Sequence, residues 1–163
     1  MSFQSAELKL RNLAQANAQI YQDLTWPNTA GALTFLWFDR QLVQGDLGKP
    51  SDGKCCVYVH RVSSAPRVSN QGSPNTALSQ PRIQIDIVSY NAEQARKVGN
   101  DFVAFLNSIS LAWNGYYQSP VTGATQNPCF LLNERESIMP QLNPPPFVWT
   151  QDWRFYNRED FPQ

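Results

Sequence analysis

The chain has 163 residues, 42% of them hydrophobic and 12% aromatic. That is enough to bury roughly 70% of the unfolded surface in one domain, and it excludes wholesale disorder. Thirteen basic residues balance thirteen acidic ones, which argues against a dedicated nucleic-acid binder, whose affinity rests on clustered Lys and Arg. No apolar run approaches the roughly 20 residues needed to cross a bilayer. The stretch MSFQSAELKLRN lacks the charged-then-apolar order of a signal peptide. There is no N-x-[ST] sequon. The three cysteines are odd in number and two are adjacent (Cys55, Cys56), so a disulfide framework is not expected and a reducing cytoplasm fits best.

In chain order, Ser5 to Leu24 reads as a first helix. Leu10, Leu13, Asn17, Ile20, Tyr21 and Leu24 fall at three- and four-residue steps, Ser5 caps the start, and Trp26-Pro27 marks the end. Thr34 to Val43 (TFLWFDRQLV) reads as a strand, followed by turn chemistry in GDLGKPSDGK. Cys55 to Ser63 (CCVYVHRVS) is a β-branched strand. Ser64 to Pro81 is a long polar connection with three prolines. It exceeds the usual 4–6 residues of a connection. The expectation is a loop that reaches an adjacent subunit or another protein partner and becomes ordered only there.

Arg82 to Ser89 alternates as a strand and leads directly into a helix. Asn91 is its N-cap, and Gln94 completes a capping-box-like pair. Ala95, Val98, Phe102, Phe105, Leu106 and Ile109 line one face, and Glu93 and Lys97 stand at i, i+4 on the other. The helix from Ala92 to Ser108 is expected to lay its Phe102/Leu106 face on the sheet. Ser110 to Pro128 is a second long connection. Strands at Cys129 to Ile138 and Phe147 to Tyr156 are joined by MPQLNPPP, whose prolines stop pairing. In the last strand Phe147, Trp149, Trp153 and Phe155 share a face interrupted by Gln151. The order helix, strands, helix, strands predicts an α+β fold, a single domain over residues 1–163, with a mostly antiparallel sheet and helices packed on one face.

Chemistry-bearing groups are sparse. GKPSDGK has phosphate-loop spacing, but Cys55 replaces the Ser or Thr that Mg²⁺ ligation needs and a strand follows where a helix N-terminus is required, so it reads as a surface turn. His60 is the single histidine. Cys55, Cys56, Ser63 and Asp86 surround it in number only, without a nucleophile signature, and it reads as a half-buried sheet residue. No C-x-x-C and no second histidine support zinc. Glu134 and Glu136 share one strand face, with Arg135 on the other. They read as a solvated sheet face without a cleft. Trp113, Tyr116 and Tyr117 roof the core or serve as interface anchors. Arg67 carries a planar group suited to a neighbour's carboxylate. Arg67, Trp113, Tyr116 and Tyr117 are therefore the candidate interface residues. No catalytic, cofactor-binding or metal-binding residue is assigned, and no polar residue, His60, Glu134 and Glu136 included, is expected to be catalytic.

RIQIDIVSY followed at once by NAEQARKVGNDFVAFLNS resembles the centre of the tail terminator, or tail completion, family of long-tailed bacteriophages. The N-terminal helix, the strand ending in VYVHRVSS and the terminal strand WTQDWRFYNRE fit the same pattern, so the likeness covers roughly Lys54 to Phe161 with the first helix in support. TFLWFDRQLV and MPQLNPPP stand apart from it as elaborations. The resemblance implies a non-enzymatic virion subunit without cofactor. It implies assembly into a hexameric ring at the head-proximal end of the tail, contacting the major tail tube protein and a neck or head-completion protein. DNA passes through such a ring without specific binding, and no membrane is involved. Alternative readings are a small cytoplasmic α+β enzyme or ligand-binding domain using His60 and a carboxylate, and a neck or minor tail component.

Overall fold

The computed structural model describes residues 5–63, 68–69, 76–109, 129–155 and 157–160. Their fold is α+β. Helix α1 (Ala6–Ala16) starts where the Ser5 side chain accepts from the Leu8 amide. The expected single helix to Leu24 is broken at Asn17, which takes an extended conformation. Its amide closes α1 by donating to Leu13 and Ala14 carbonyls. Its side chain accepts from the Ile20 amide and so caps α2 (Ala18–Leu24). Asn competes with the helix through such local bonds, which outweighs its place on the apolar stripe. The break lets Leu10 and Ala14 on one side, and Ile20 and Leu24 on the other, enter the same core.

The expected strand Thr34–Val43 is also corrected. Strand β1 (Thr25–Pro27) pairs with β2 (Leu33–Phe35), and only Trp37–Phe38 (β3) joins the main sheet. The apolar residues of this run serve two different cores. Trp37 belongs to the core under the helices, and Leu36 and Leu42 to a second cluster on the opposite face. This odd–even division is what extended backbone gives, since successive side chains point to opposite faces. After a 3-10 turn at Pro50–Asp52, β4 (Cys55–Ser63), β7 (Arg82–Ser89), α3 (Ala92–Ser108) and β8 (Cys129–Ile138) have the expected bounds. Strand β9 runs over Phe147–Phe155, and Tyr156 lies outside the described residues.

Of the expected excursion Ser64 to Pro81, residues 64–67 and 70–75 lie outside the described residues. Within it β5 (Val68–Ser69) and β6 (Thr76–Ser79) are strands, and β6 pairs antiparallel with β10 (Asn157–Asp160) of the same chain. That much of the segment finds its partner in cis.

The main sheet has the order β3-β4-β7-β9-β8. All its ladders are antiparallel except β3–β4. Val57, Ile87 and Trp149 stand in one row, and Val59, Ile85 and Gln151 in the next. This face is covered by all the helices among the described residues, which meet it with Leu10, Ile20, Val98, Phe102 and Leu106. Helix α3 comes closest at Gly99, where a Cβ would stand 2.6 Å from Cδ1 of Trp149. The absence of a side chain there is what lets helix and strand touch. On the other face, Cys56, Val88 and Val148 form a smaller core with Leu36, Leu42, Leu47, Met139 and Leu142. No helix among the described residues is long and apolar enough to cross a membrane.

Candidate functional site

His60 sits in β4 on the face opposite the helices, opposite Gln84 and stacked on Tyr58 at 4.8 Å between ring centroids. It is half-buried, as expected from its strand, and its Nδ1 is buried without a partner. Ser5 and Asp39 line one cleft with His60, but the Ser5 hydroxyl is engaged as the cap of α1. Burial pushes the Cys55 and Cys56 thiols far above their ordinary range and Cys129 up to about 12. Asp86 is engaged by Thr150 at 2.6 Å and by Gln84 at 2.9 Å. Among the described residues no cluster of His, Cys, Asp and Glu is arranged to hold a metal ion. GKPSDGK is the turn its spacing left it to be: the Lys49 amide donates to Asp52 at 2.9 Å, and Gly48 and Gly53 both take φ of +66°.

Glu134 and Glu136 are not a plain solvated face. Glu134 Oε1 accepts from Trp149 Nε1 at 3.2 Å and from Gln151 Nε2 at 2.8 Å. Gln151 also donates to the Gly99 carbonyl at 2.8 Å and accepts from Trp153 Nε1 at 3.1 Å. The polar residue that interrupts the aromatic face of β9 is therefore the hub joining strand, helix and edge. Glu136 accepts from Arg96 Nε at 2.5 Å, and this bond holds its carboxyl below the ordinary range. Arg96, not Lys97, is also the partner of Glu93. Contrary to the expected absence of a cleft, Glu136 and Arg96 line one of about 340 Å³ between the start of α3 and the ends of β8 and β9, floored by Ala95, Ile138, Phe147 and Trp149.

Lys97 bridges Asp101 at 2.8 Å and Asp23 of α2 at 3.1 Å. Burial raises the Asp23 carboxyl above its ordinary 3.8, Asp101 adds to this, and Lys97 opposes it. An acid raised in the folded state binds protons more tightly there than in the unfolded chain. Its contribution is therefore fully present below 3.8 and is lost as pH rises through the raised value. Asp23→Asn is expected to flatten this part of the stability–pH curve. Lys97→Met should steepen it and cost about 1 kcal/mol at neutral pH, because the ammonium is half exposed and screened. Thermal melts across the acid range check both.

The sheet leaves an open edge. Strand β8 ends the sheet, and every residue from Phe130 to Ile138 is exposed, with Phe130 at 51% and Ile138 at 54%. Among the described residues its outer side pairs with no strand. Such a row of backbone donors and acceptors is a template for another strand. At the other edge, β3 covers β4 only at Val57 and Tyr58. Beyond it, Val59, His60 and Arg61 wall a cleft of about 360 Å³ with Glu7 and Arg11 of α1, Trp37 and Asp39. Sequence reasoning missed this site. Its one legible signal was the apolar triplet Phe130-Leu131-Leu132 in a strand otherwise too charged for a sheet centre.

The candidate interface residues Arg67, Trp113, Tyr116 and Tyr117 lie outside the described residues. No protein-family model matches the chain, and no curated protein does.

Proposed function

We propose that the chain is a structural virion subunit, building a ring at the head-proximal end of a phage tail, where it ends growth of the tail tube and joins the tail to the neck. The observation that carries this reading is the pair of open edges on one rigid sheet, β8 at one side and the end of β4 at the other. A subunit with unlike sticky edges associates head to tail, and such contacts close into a ring when the rotation allows. The strand–helix unit β7–α3, which carries the resemblance to tail terminators, serves as the stiff centre between those edges. In this reading the chain has no catalytic residue, cofactor or metal. Balanced charge suits a conduit that lets DNA pass, since many phosphate contacts would retain the duplex.

Electron microscopy of particles made with and without the protein tests the assignment. With it, tails of uniform length are joined to heads and carry a ring at the joint. Without it, tails overgrow or remain unjoined. Normal joined tails in its absence would end the proposal.

A further inference from the structure

The two open edges also specify how they meet. Strand β8 runs opposite to β4, because the ladders β4–β7, β7–β9 and β9–β8 are each antiparallel. A second copy that continues the sheet with its helices on the same side therefore lays its β4 antiparallel to β8 of the first. Side chains directly opposite each other in such a pair share a face. On β8 the helix side carries Glu134, Glu136 and Ile138, in register with Gln151, Trp149 and Phe147. On β4 it carries Val59 and Arg61, in register with Ile85 and Ile83.

One register satisfies all of these. Setting Arg61 opposite Glu136 brings Val59 opposite Ile138, His60 opposite Ser137 and Val62 opposite Arg135. Arg61, which Glu7 of its own copy holds at 2.7 and 2.9 Å, meets Glu136, which Arg96 of its own copy holds at 2.5 Å. The two ion pairs join in one alternating cluster, and the half-exposed Ile138 enters the cleft over Val59. Arg11, without an ion pair among the described residues, adds a second positive charge to that cleft, beside Glu7 and Asp39. A two-residue slip either way sets Val59 against Glu136 or Arg61 against Ile138. Pairing of β8 with β8 of a second copy about its charged middle is worse. Centred on Glu134, Arg135 or Glu136, it sets a charge against its own copy, and centred on Arg135 it also sets Glu134 against Glu136. Like charges directly opposite destabilise a ladder.

We infer that copies of this chain join head to tail by continuing the sheet, with β8 of one copy added antiparallel to the open Val59–Ser63 edge of the next, Glu136 facing Arg61 and Ile138 seated on Val59. This deepens the ring reading, on which it rests, by naming the contact surface.

Disulfide capture tests the register. His60 and Ser137 are separated within one copy by β7 and β9, so a bond between cysteines at these positions forms only between copies. The native thiols are buried. The double variant His60→Cys/Ser137→Cys, mildly oxidised with copper phenanthroline, is expected to give a ladder of covalent oligomers. Each single variant stays without a covalent cross-link, and an equal mixture of the two stops at a covalent dimer. Adding Ile138→Lys to the double variant is expected to abolish the ladder, since an ammonium would enter the cleft. Cross-linking by Ser137→Cys alone, or no ladder from a folded double variant, would overturn the interface. A ladder unaffected by Ile138→Lys would overturn it too. The tail assignment fails separately. A ladder in solution with no protein at tail ends removes the assignment and keeps the interface, whereas a ring at tail ends with no ladder removes the interface alone.

Discussion

Replacing Phe102 by Ala is expected to lower the unfolding free energy by about 3–5 kcal/mol. Phe102 is fully buried at the middle of α3, 6.1 Å from the Trp37 ring and 6.2 Å from the Phe105 ring between centroids. Truncation removes the transfer energy of the ring and leaves a cavity. Its walls are core side chains already locked by their own contacts, so little collapse relieves it. Denaturant melts of Phe102→Ala beside Asn100→Ala, on the exposed side of the same helix, check the assignment. Equal losses would mean that α3 buries its other face.

Gln151→Leu should cost about 1–3 kcal/mol for each buried group it leaves unpaired. Leucine conserves volume and would read as an improvement in a strand flanked by tryptophans. Yet Gln151 is completely buried, and its amide joins the Gly99 carbonyl, Glu134 and the Trp153 indole. Removing it strands the buried Trp153 N–H and frees Glu134 to move toward solvent, loosening the edge strand from the helix. Equilibrium unfolding measures the stability, and amide exchange over β8 reads the edge. A variant as stable as the parent, with unchanged exchange, would show that the amide contributes only volume.

Much of the centre was legible without coordinates. Alternation in Arg82–Ser89, the Asn91 cap and the apolar spacing from Ala95 to Ile109 all favour the observed structure locally, and local preferences that agree with the fold are seldom overridden. Other local signals compete with one another. Asn17 is as good a cap as Asn91, and its local hydrogen bonds break the first helix although its spacing places it on the apolar stripe.

Distant pairings were not legible. Thr76–Ser79 shows no apolar period, and its partner, Asn157–Asp160, lies at the other end of the chain. Lys97 had Glu93 available at the favourable spacing, yet it faces Asp101 and Asp23, because α2 packs beside α3 and brings a buried carboxylate to it. The sequence by itself determined the strands Cys55–Ser63, Arg82–Ser89 and Cys129–Ile138, the helix Ala92–Ser108 and the face that helix buries, because periodicity and caps act over a few residues. Only the tertiary structure decided which strand is an edge, which polar groups meet across it and where open backbone remains. Those outcomes depend on the order of strands in the sheet, and strand order is set by contacts between segments far apart in the chain.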